Sequence, residues 1–268
     1  HEFLEGDLAD LEVARRAVAD VRYVLHQAAI PSVPRSVADP ITSNRANIDA
    51  TLNVLVAARE EGVRRVVAAS SSSVYGSVPD LPKREDMPTL PLSPYAVSKL
   101  AAESYCRAWF DLYGLETVAL RYFNVFGPRQ DPLSEYAAVV PRFIGAYRAG
   151  EPPVIFGDGE QSRDFTFVQN VVDANMAALD APAAPGRVYN IACGQRVTLN
   201  ELAGELRRQM GIPTTAVHAA PRAGEVRHSL ADISRARADL GYEPRVGLAE
   251  GLHATIEAFA TEPVAVAA

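Results

Sequence analysis

A tyrosine and a lysine, Tyr95 and Lys99, lie four residues apart in a stretch whose pattern is typical of a helix. That spacing places both side chains on one helix face. Four serines, 70–73, precede them at the end of an apolar run. A phenol beside an ammonium, opposite hydroxyls, can move a proton on and off an alcohol. The alternatives are a surface helix pair, and serines that only satisfy backbone groups at a strand end.

The segments that must position these residues are a buried strand predicted over 63–70 and a helix predicted over 94–113. Ser93 is a suitable N-cap, and Pro94 suits the first helical position. Gly114 favours the helix end. These local signals predict where the Tyr95 helix begins and ends.

The surrounding chain alternates between short apolar runs and helical patterns. We predict strands at 23–29 and 117–123, helices at 10–18 and 44–60, and a proline-containing loop around 31–40. This alternation is typical of an α/β fold with a Rossmann-like, doubly wound parallel sheet. After Gly127 the pattern changes, and shorter strands mix with helices. We predict a sheet domain over 1–127 and 165–193, and a smaller mixed α/β substrate domain over 128–164 and 194–268.

Composition excludes several classes of function. The 268 residues carry a net charge of −7, which disfavours a nucleic-acid partner. Only two cysteines are present, Cys106 and Cys193, so we expect no disulfide framework and no zinc site, as in a cytoplasmic protein. The histidines show no metal-ligand spacing. No apolar run approaches the length of a membrane span, and we expect no membrane partner.

Several motifs resemble those of extended short-chain dehydrogenase/reductases, and within them NAD-dependent nucleotide-sugar epimerases. The Tyr-x-x-x-Lys pair is weak alone, but it occurs in family order with the serine run ending in Val-Tyr-Gly. The resemblance covers nearly the whole chain and is closest to UDP-N-acetylglucosamine/UDP-glucose 4-epimerases. The further matching stretches begin at Ser32, Arg121, Tyr136, Gly157 and Arg222.

The resemblance implies the chemistry of each central residue. Tyr95, held as a phenolate with a lowered pKa by Lys99 and the nicotinamide, would remove the proton of the sugar 4-hydroxyl. Ser71 would hydrogen-bond the reacting oxygen. Ser72 and Ser73 stand where related 4,6-dehydratases carry an Asp-Glu pair, so the resemblance favours epimerisation over elimination of water.

The family opens with a strand, a Gly-rich turn and a helix that cradle the NAD pyrophosphate. No G-x-x-G-x-x-G occurs in this sequence. We expect that the sequence is an N-terminally truncated form of a longer enzyme. A non-catalytic UDP-binding module is the alternative that this feature suggests.

The resemblance implies two sets of binding residues. The NAD contacts are Asp7, Leu8, Ala28, Ala29, Asn47, Tyr95, Lys99 and Tyr122. The nucleotide-sugar contacts are Ser71, Ser72, Asn124, Val139, Val154, Phe156, Arg163, Arg222, Glu225 and Ser229. Each has a simpler alternative: Asp7 can cap a helix, Asn47 can be a buried polar residue, and either arginine can form a surface ion pair.

The expected reaction is 4-epimerisation of a UDP-hexose through a 4-keto sugar. A small residue at Ser229 favours UDP-GlcNAc/UDP-GalNAc, with UDP-glucose/UDP-galactose next. UDP-glucuronate is open, although Asn124 weighs mildly against it. A net nucleotide-sugar oxidoreductase is the remaining catalytic alternative. By resemblance, the helices at 44–60 and 94–113 would form a homodimer.

Overall fold

The computed structural model describes residues 2–130, 138–221 and 226–261. Its strands are β1 Tyr23–His26, β2 Arg65–Ser71, β3 Glu116–Tyr122, β4 Val125–Phe126, β5 Val154–Phe156, β6 Ser162–Arg163, β7 Thr166–Phe167, β8 Arg187–Ile191, β9 Val197–Thr198 and β10 Val217–Ala219. Its α-helices are α1 Leu11–Val18, α2 Val33–Ala38, α3 Pro40–Asn44, α4 Ala50–Glu60, α5 Pro94–Tyr113, α6 Val139–Arg148, α7 Val168–Asp180, α8 Leu199–Met210, α9 Ser234–Leu240 and α10 Leu248–Thr261.

The central sheet contains β1, β2, β3 and β8 in that spatial order, all parallel. The register pairs Ser71 with Tyr122, and Tyr122 with Ile191. The carboxyl ends of the central strands therefore meet at one edge of the sheet, where doubly wound sheets bind ligands. The predicted Rossmann-like α/β fold is confirmed.

Each face of the sheet is covered by a separate apolar cluster, because strand side chains alternate between faces. Val66 and Ala68 pack with residues of α1 and α4, whereas Val67 and Leu120 pack with residues of α7 and α9. A further core joins α6, α8 and α10 through fully buried Ile144, Leu202 and Leu252. Burying one such side chain contributes roughly 1.5–3 kcal/mol.

The cores cut across the predicted domain boundaries. Ala236 and Leu240 of α9 pack against the sheet, although 194–268 was predicted to be the substrate domain. Phe165 and Phe167 join the core of α6, α8 and α10, although 165–193 was predicted to return to the sheet domain. The two-domain division stays a proposal.

The helical segment before β2 begins earlier than predicted. The prediction was one helix over 44–60, but α3 begins at Pro40 and leads through a π turn, Arg45–Asp49, into α4. Asp39 caps α3 by accepting from the Thr42 N–H at 3.0 Å. The predicted proline-containing loop also holds α2, which Ser32 caps. Proline at a first helical turn is tolerated, because the N–H that it lacks would have no partner there.

The segment that follows β2 covers the free edge of β8, which is the last strand of the sheet. The Glu85 carboxylate accepts from the backbone N–H of Asn190 at 2.9 Å. The backbone of Lys83 pairs with that of Leu230 and Asp232, at 2.7 and 2.8 Å. This segment therefore joins the sheet to the chain before α9.

Candidate active site

The serine run ends β2 and turns directly into a 3-10 turn, Ser72–Tyr75. The Ser71 hydroxyl caps this turn by accepting from the Ser73 N–H at 3.2 Å. Gly76 follows with φ +53°, and a Cβ there would lie 1.6 Å from the Leu90 carbonyl oxygen. Only glycine fits this turn, which holds Ser71 at the sheet edge.

The α5 helix begins and ends where its caps predict. Ser93 accepts from the Ala96 N–H at 3.2 Å, and Gly114 ends the helix with φ +71°. The Tyr95 N–H, which has no partner within the helix, donates to the Ser36 hydroxyl of α2 at 3.0 Å. Tyr95 and Lys99 are therefore held on the first turns of a well-anchored helix.

The electrostatics of the pair differ from the prediction. Burial raises the pKa of Tyr95, and a hydrogen bond to Ser71 offsets part of that rise. Lys99 donates to the Ala69 carbonyl at 2.8 Å, and burial lowers its pKa to about 8. The predicted lowering of the Tyr95 pKa is thus not produced by this chain, because the desolvation of the phenolate outweighs its one hydrogen bond.

Tyr122 lies at the end of β3 and forms the wall of the site opposite the Tyr95 helix. Its hydroxyl lies 3.1 Å from Gln27 Oε1 and accepts from Asn175 Nδ2 at 2.8 Å. Gln27 and Ala29 follow β1, so the ends of β1 and β3 are joined through side chains of the loop and α7. Tyr122 is thereby fixed beside the Ser71 end of β2.

Asn47 lies behind the residues that line the site and is not one of the lining residues. Its amide accepts from the Ile30 N–H at 2.7 Å and donates to Ser98 of α5 at 3.0 Å. Thr51 donates to the Asn47 carbonyl at 2.6 Å and therefore accepts from His26 Nε2–H at 3.0 Å. Burial lowers the pKa of His26 to about 4, and the Lys99 charge adds to this. The arrangement matches the alternative reading of Asn47 as a buried polar residue.

Asn124 and Arg163 lie side by side at the junction between the central sheet and the core formed by α6, α8 and α10. Asn124 has φ +35°, an uncommon conformation outside glycine, and donates to the Asp164 carbonyl at 3.1 Å. Arg163 donates to the carbonyls of Ser162 and Arg227, at 2.9 and 3.1 Å. The Asp164 carboxylate accepts from the Cys193 and Gly194 N–H groups, both at 3.0 Å, which fixes the Arg163 backbone.

A cavity of about 750 Å³ brings the predicted residues of both sets together. A smaller cavity of about 240 Å³, lined by apolar Phe126, Val139 and Phe165, adjoins it. Arg163 and Asn124 line both cavities. The predicted site residues in the larger cavity are Ala29, Ser71, Ser72, Tyr95, Lys99, Tyr122, Asn124, Arg163 and Ser229.

The remaining predicted residues are placed elsewhere or lie outside the described ranges. Asp7 is exposed and caps the turn before α1, and the Leu8 carbonyl accepts from Asn53. Ala28 is exposed and lines neither cavity. Val154 and Phe156 pair with β10 and also line neither cavity. Arg222 and Glu225 lie outside the described residues.

Sequence reasoning did not identify four polar residues with amide, amine or imidazole groups that line the larger cavity, namely Gln27, Lys83, Gln130 and His228. Gln130 donates to the Val125 carbonyl at 3.0 Å, and its Oε1 is buried without a partner in the described part of the chain. Lys83 lies within the Pro-rich loop that precedes α5, where its sequence context gives no signal of burial.

A buried ion pair beneath the site joins α5 to β2 and β3. Arg121 donates twice to the Glu103 carboxylate, from Nε and Nη2, both at 2.8 Å. Ser70 donates to the same carboxylate at 2.5 Å, and the Arg121 guanidinium lies 4.7 Å from the centre of the Tyr75 ring. Ser70 precedes Ser71 in β2, and Arg121 precedes Tyr122 in β3. The Glu103–Arg121 ion pair therefore connects α5 to the strand ends that carry Ser71 and Tyr122.

Another cavity, of about 430 Å³, lies between α5 and β8 and is lined by none of the predicted site residues. Within the ranges that the structure describes, no three His, Cys, Asp or Glu side chains are grouped to hold a metal ion. None of the described helices is long and apolar enough to cross a membrane.

Comparison with known proteins gives the family. Residues 1–192 match the NAD dependent epimerase/dehydratase family. The UDP-glucose 4-epimerase of Mycolicibacterium smegmatis is 42% identical over 260 residues, which are 96% of this chain and 82% of that protein.

Two solved structures share the fold closely. The UDP-N-acetylglucosamine 4-epimerase of Methanobrevibacter ruminantium M1, in complex with UDP-N-acetylmuramic acid, superposes with a TM-score of 0.92 at 41% identity, over 96% of this chain and 82% of that one. The UDP-glucose 4-epimerase of Thermotoga maritima with UDP-glucose has a TM-score of 0.92 at 37% identity, over 96% and 84%. This chain therefore belongs to the NAD dependent epimerase/dehydratase family.

Proposed function

We propose that this protein catalyses the NAD-dependent 4-epimerisation of a UDP-hexose. One observation carries the proposal: a proton-transfer group, Tyr95 with Ser71, and a diphosphate-binding candidate, Arg163, line the same cavity. A sugar nucleotide needs both in one place, because its hexose reacts while its diphosphate is held. The names of the relatives, UDP-glucose and UDP-N-acetylglucosamine 4-epimerases, support the same reaction.

Tyr95 would act as the base that removes the proton of the 4-hydroxyl. In the chain alone its phenol is the favoured form at neutral pH, because burial raises its pKa. A positive group bound next to the ring would lower that pKa. Ser71, which hydrogen-bonds Tyr95, would hold the reacting oxygen during the transfer.

The residues present fit the nicotinamide end of NAD, which when bound accepts and returns the hydride of the sugar C4. Ala29 and Tyr122 line the cavity on the side where the strands β1 and β3 end. The Lys99 ammonium has one described hydrogen bond, to the Ala69 carbonyl, and so keeps two N–H groups for ribose hydroxyls. Asp7, Leu8, Ala28 and Asn47 remain proposals as NAD contacts.

Arg163 and Asn124 would anchor the diphosphate, since they stand between the two cavities. Guanidinium groups bind phosphates through paired, charge-assisted hydrogen bonds. Val139 lines the smaller, apolar cavity, which suits the uracil ring. With the diphosphate held there, the hexose can present either face to Tyr95. Val154, Phe156, Arg222 and Glu225 stay proposed contacts of the nucleotide.

UDP-GlcNAc/UDP-GalNAc is the first proposed substrate pair, and UDP-glucose/UDP-galactose the second. Ser229 and Ser72 line the larger cavity, and both side chains are small, which leaves space for a C2 substituent. The Ser229 backbone N–H donates to the Ser162 carbonyl at 3.0 Å, so the position of this residue is fixed.

The direct test incubates the purified protein with NAD and each UDP-sugar and looks for the C4 epimer. Tyr95→Phe is expected to reduce turnover at least roughly 100-fold and to leave UDP binding within about twofold, because it removes the hydroxyl that would exchange the proton and keeps the aromatic ring. Tyr113→Phe is the matched control, since this ring lies on the same helix, half-exposed and 4.1 Å from the Arg59 guanidinium carbon. Conversion of no UDP-sugar would refute the proposal, and equal activity of Tyr95→Phe would remove Tyr95 from it.

We also propose a homodimer through α5 and the helix predicted over 44–60, which in the structure is preceded without a break by α3 from Pro40. Ile41, Val97 and Leu112 are large apolar side chains that stay exposed on these helices. Sedimentation of the wild type and of Val97→Glu would test this assembly. A monomeric wild type would refute it.

A further inference from the structure

Asp164 is a buried carboxylate that the proposed reaction does not use. It is 0% exposed and lies between β6 and β7. Its Oδ1 accepts from the Cys193 N–H at 3.0 Å, and its Oδ2 accepts from the N–H groups of Gly194 and Ala231, at 3.0 and 3.1 Å. Burial raises the pKa of Asp164 to about 6, and these hydrogen bonds oppose the rise. The carboxylate is therefore held by main-chain groups from two other segments of the chain.

The contacts of Asp164 connect three residues that line the larger cavity and come from separate parts of the chain. Arg163 directly precedes Asp164 in the sequence. Asn124, which follows β3, donates to the Asp164 carbonyl at 3.1 Å. Ser229 lies two residues before Ala231, whose N–H donates to the Asp164 carboxylate. Asp164 therefore joins Arg163, Asn124 and Ser229 into one arrangement.

The proton-transfer residues are held by different contacts. Tyr95 and Lys99 belong to α5, whose start is fixed by the Ser93 cap. Ser71 is held by the 3-10 turn that follows β2. None of the described hydrogen bonds of Asp164 reaches α5 or β2. The cavity is therefore lined by two groups of residues that have separate anchors.

We propose that Asp164 is a positioning residue for the nucleotide, so that its loss weakens UDP binding and leaves the proton-transfer step intact. The inference rests on the proposed function, because it takes Arg163 and Asn124 as the diphosphate anchors. A site whose side chains are already ordered binds more tightly, since less conformational entropy is lost on binding. Paired hydrogen bonds between a guanidinium and a phosphate depend on geometry, so a displaced Arg163 would lose them.

The test compares Asp164→Ala with Arg65→Met. Arg65 is another buried charged side chain, 1% exposed, whose Nη1 donates to the carbonyls of Ala178 and Ala181 at 2.7 and 3.0 Å. It lies at the start of β2 and lines neither the larger nor the smaller cavity. Both variants are expected to lower the free energy of unfolding, because each removes buried hydrogen bonds to the main chain. Dissociation constants for UDP are measured by calorimetry at a pH above the Asp164 pKa, together with KM and kcat for each UDP-sugar that is epimerised.

The two variants are expected to differ in nucleotide binding. Asp164→Ala should weaken UDP binding and raise KM roughly tenfold or more, with kcat within about threefold of the wild type. Arg65→Met should leave UDP binding within about twofold of the wild type, because it acts on stability alone. Unchanged UDP binding in Asp164→Ala would overturn the inference. Equal weakening in Arg65→Met, or a fall in kcat with KM unchanged in Asp164→Ala, would overturn it as well.

The outcomes also separate this inference from the proposed reaction. A wild type that binds UDP but epimerises no UDP-sugar would refute the reaction, while the ratio of the UDP dissociation constants would still test Asp164. A wild type that does not bind UDP would overturn both. If Asp164→Ala does not fold, Asp164→Asn is measured in the same way, because the amide keeps the volume of the side chain but turns one N–H donor toward others.

Discussion

Replacing Glu103 by alanine removes the anion of the buried ion pair beneath the site. Both side chains of the pair are 5% exposed, and the carboxylate accepts three hydrogen bonds, two from Arg121 and one from Ser70. The variant leaves the Arg121 cation buried without its ion-pair partner. Arg121 Nη1 has no hydrogen-bond partner among the described residues, and the Tyr75 ring and the charge of the Glu85 carboxylate are what remain to stabilise the cation.

The expected loss of stability is about 3–5 kcal/mol, which is the usual cost of removing one partner of a buried pair. Total stabilities of domains are roughly 5–15 kcal/mol, so a large part of the folded state's margin would disappear. Urea unfolding followed by circular dichroism gives the free energy of unfolding by linear extrapolation.

The same helix offers a matched control. Asp111 pairs with Arg107 at 2.5 Å, but both side chains are about half exposed. Asp111→Ala is therefore expected to cost at most about 0.5 kcal/mol, because solvent screens exposed pairs. A loss below about 1 kcal/mol for Glu103→Ala would refute the reasoning. The double variant Glu103→Leu with Arg121→Met should recover part of the loss, since it removes both charges.

Two further predictions concern pH and backbone conformation. The folded-state pKa of His26 is about 4 against an ordinary 6.5, so folding favours its neutral form. Its contribution, about 3 kcal/mol, is present above pH 6.5 and is lost as the pH falls toward 4. His26→Gln should weaken the dependence of the unfolding free energy on pH between 6.5 and 4. If urea unfolding at several pH values shows the same pH dependence for the variant and the wild type, the prediction is contradicted. Gly76→Ala should destabilise the fold by more than about 2 kcal/mol, because its φ is +53° and the new Cβ would overlap the Leu90 carbonyl. Gly62→Ala, with φ +70° and open space around it, is the control, and equal losses of unfolding free energy would remove the steric explanation.

Local signals predicted much of the scaffold. The limits of α5 were correct because Ser93, Pro94 and Gly114 act within one turn of the helix ends. The spacing of Tyr95 and Lys99 likewise predicted a shared helix face, and both residues line one cavity.

Tertiary contacts decided the rest. Ser36 of α2 is fixed by the distant Tyr95, and Asn47 is turned inward by the loop at Ile30, so neither orientation could be predicted from local sequence. Glu103 meets Arg121 across 18 positions, without a periodic pattern that marks the pair. The Tyr95 pKa also depends on burial, which spacing does not report.

The segment that covers the free edge of β8 has a consequence for self-association. An edge strand offers free backbone groups to other chains and can start aggregation. Glu85 occupies the Asn190 N–H, and its side chain is only 5% exposed, so an incoming strand would have to displace a buried carboxylate. Lys83, two residues before Glu85 in the sequence, lines the larger cavity. Substitutions of Lys83 or Glu85 can therefore expose the free edge of β8, and aggregation should be monitored in every such variant.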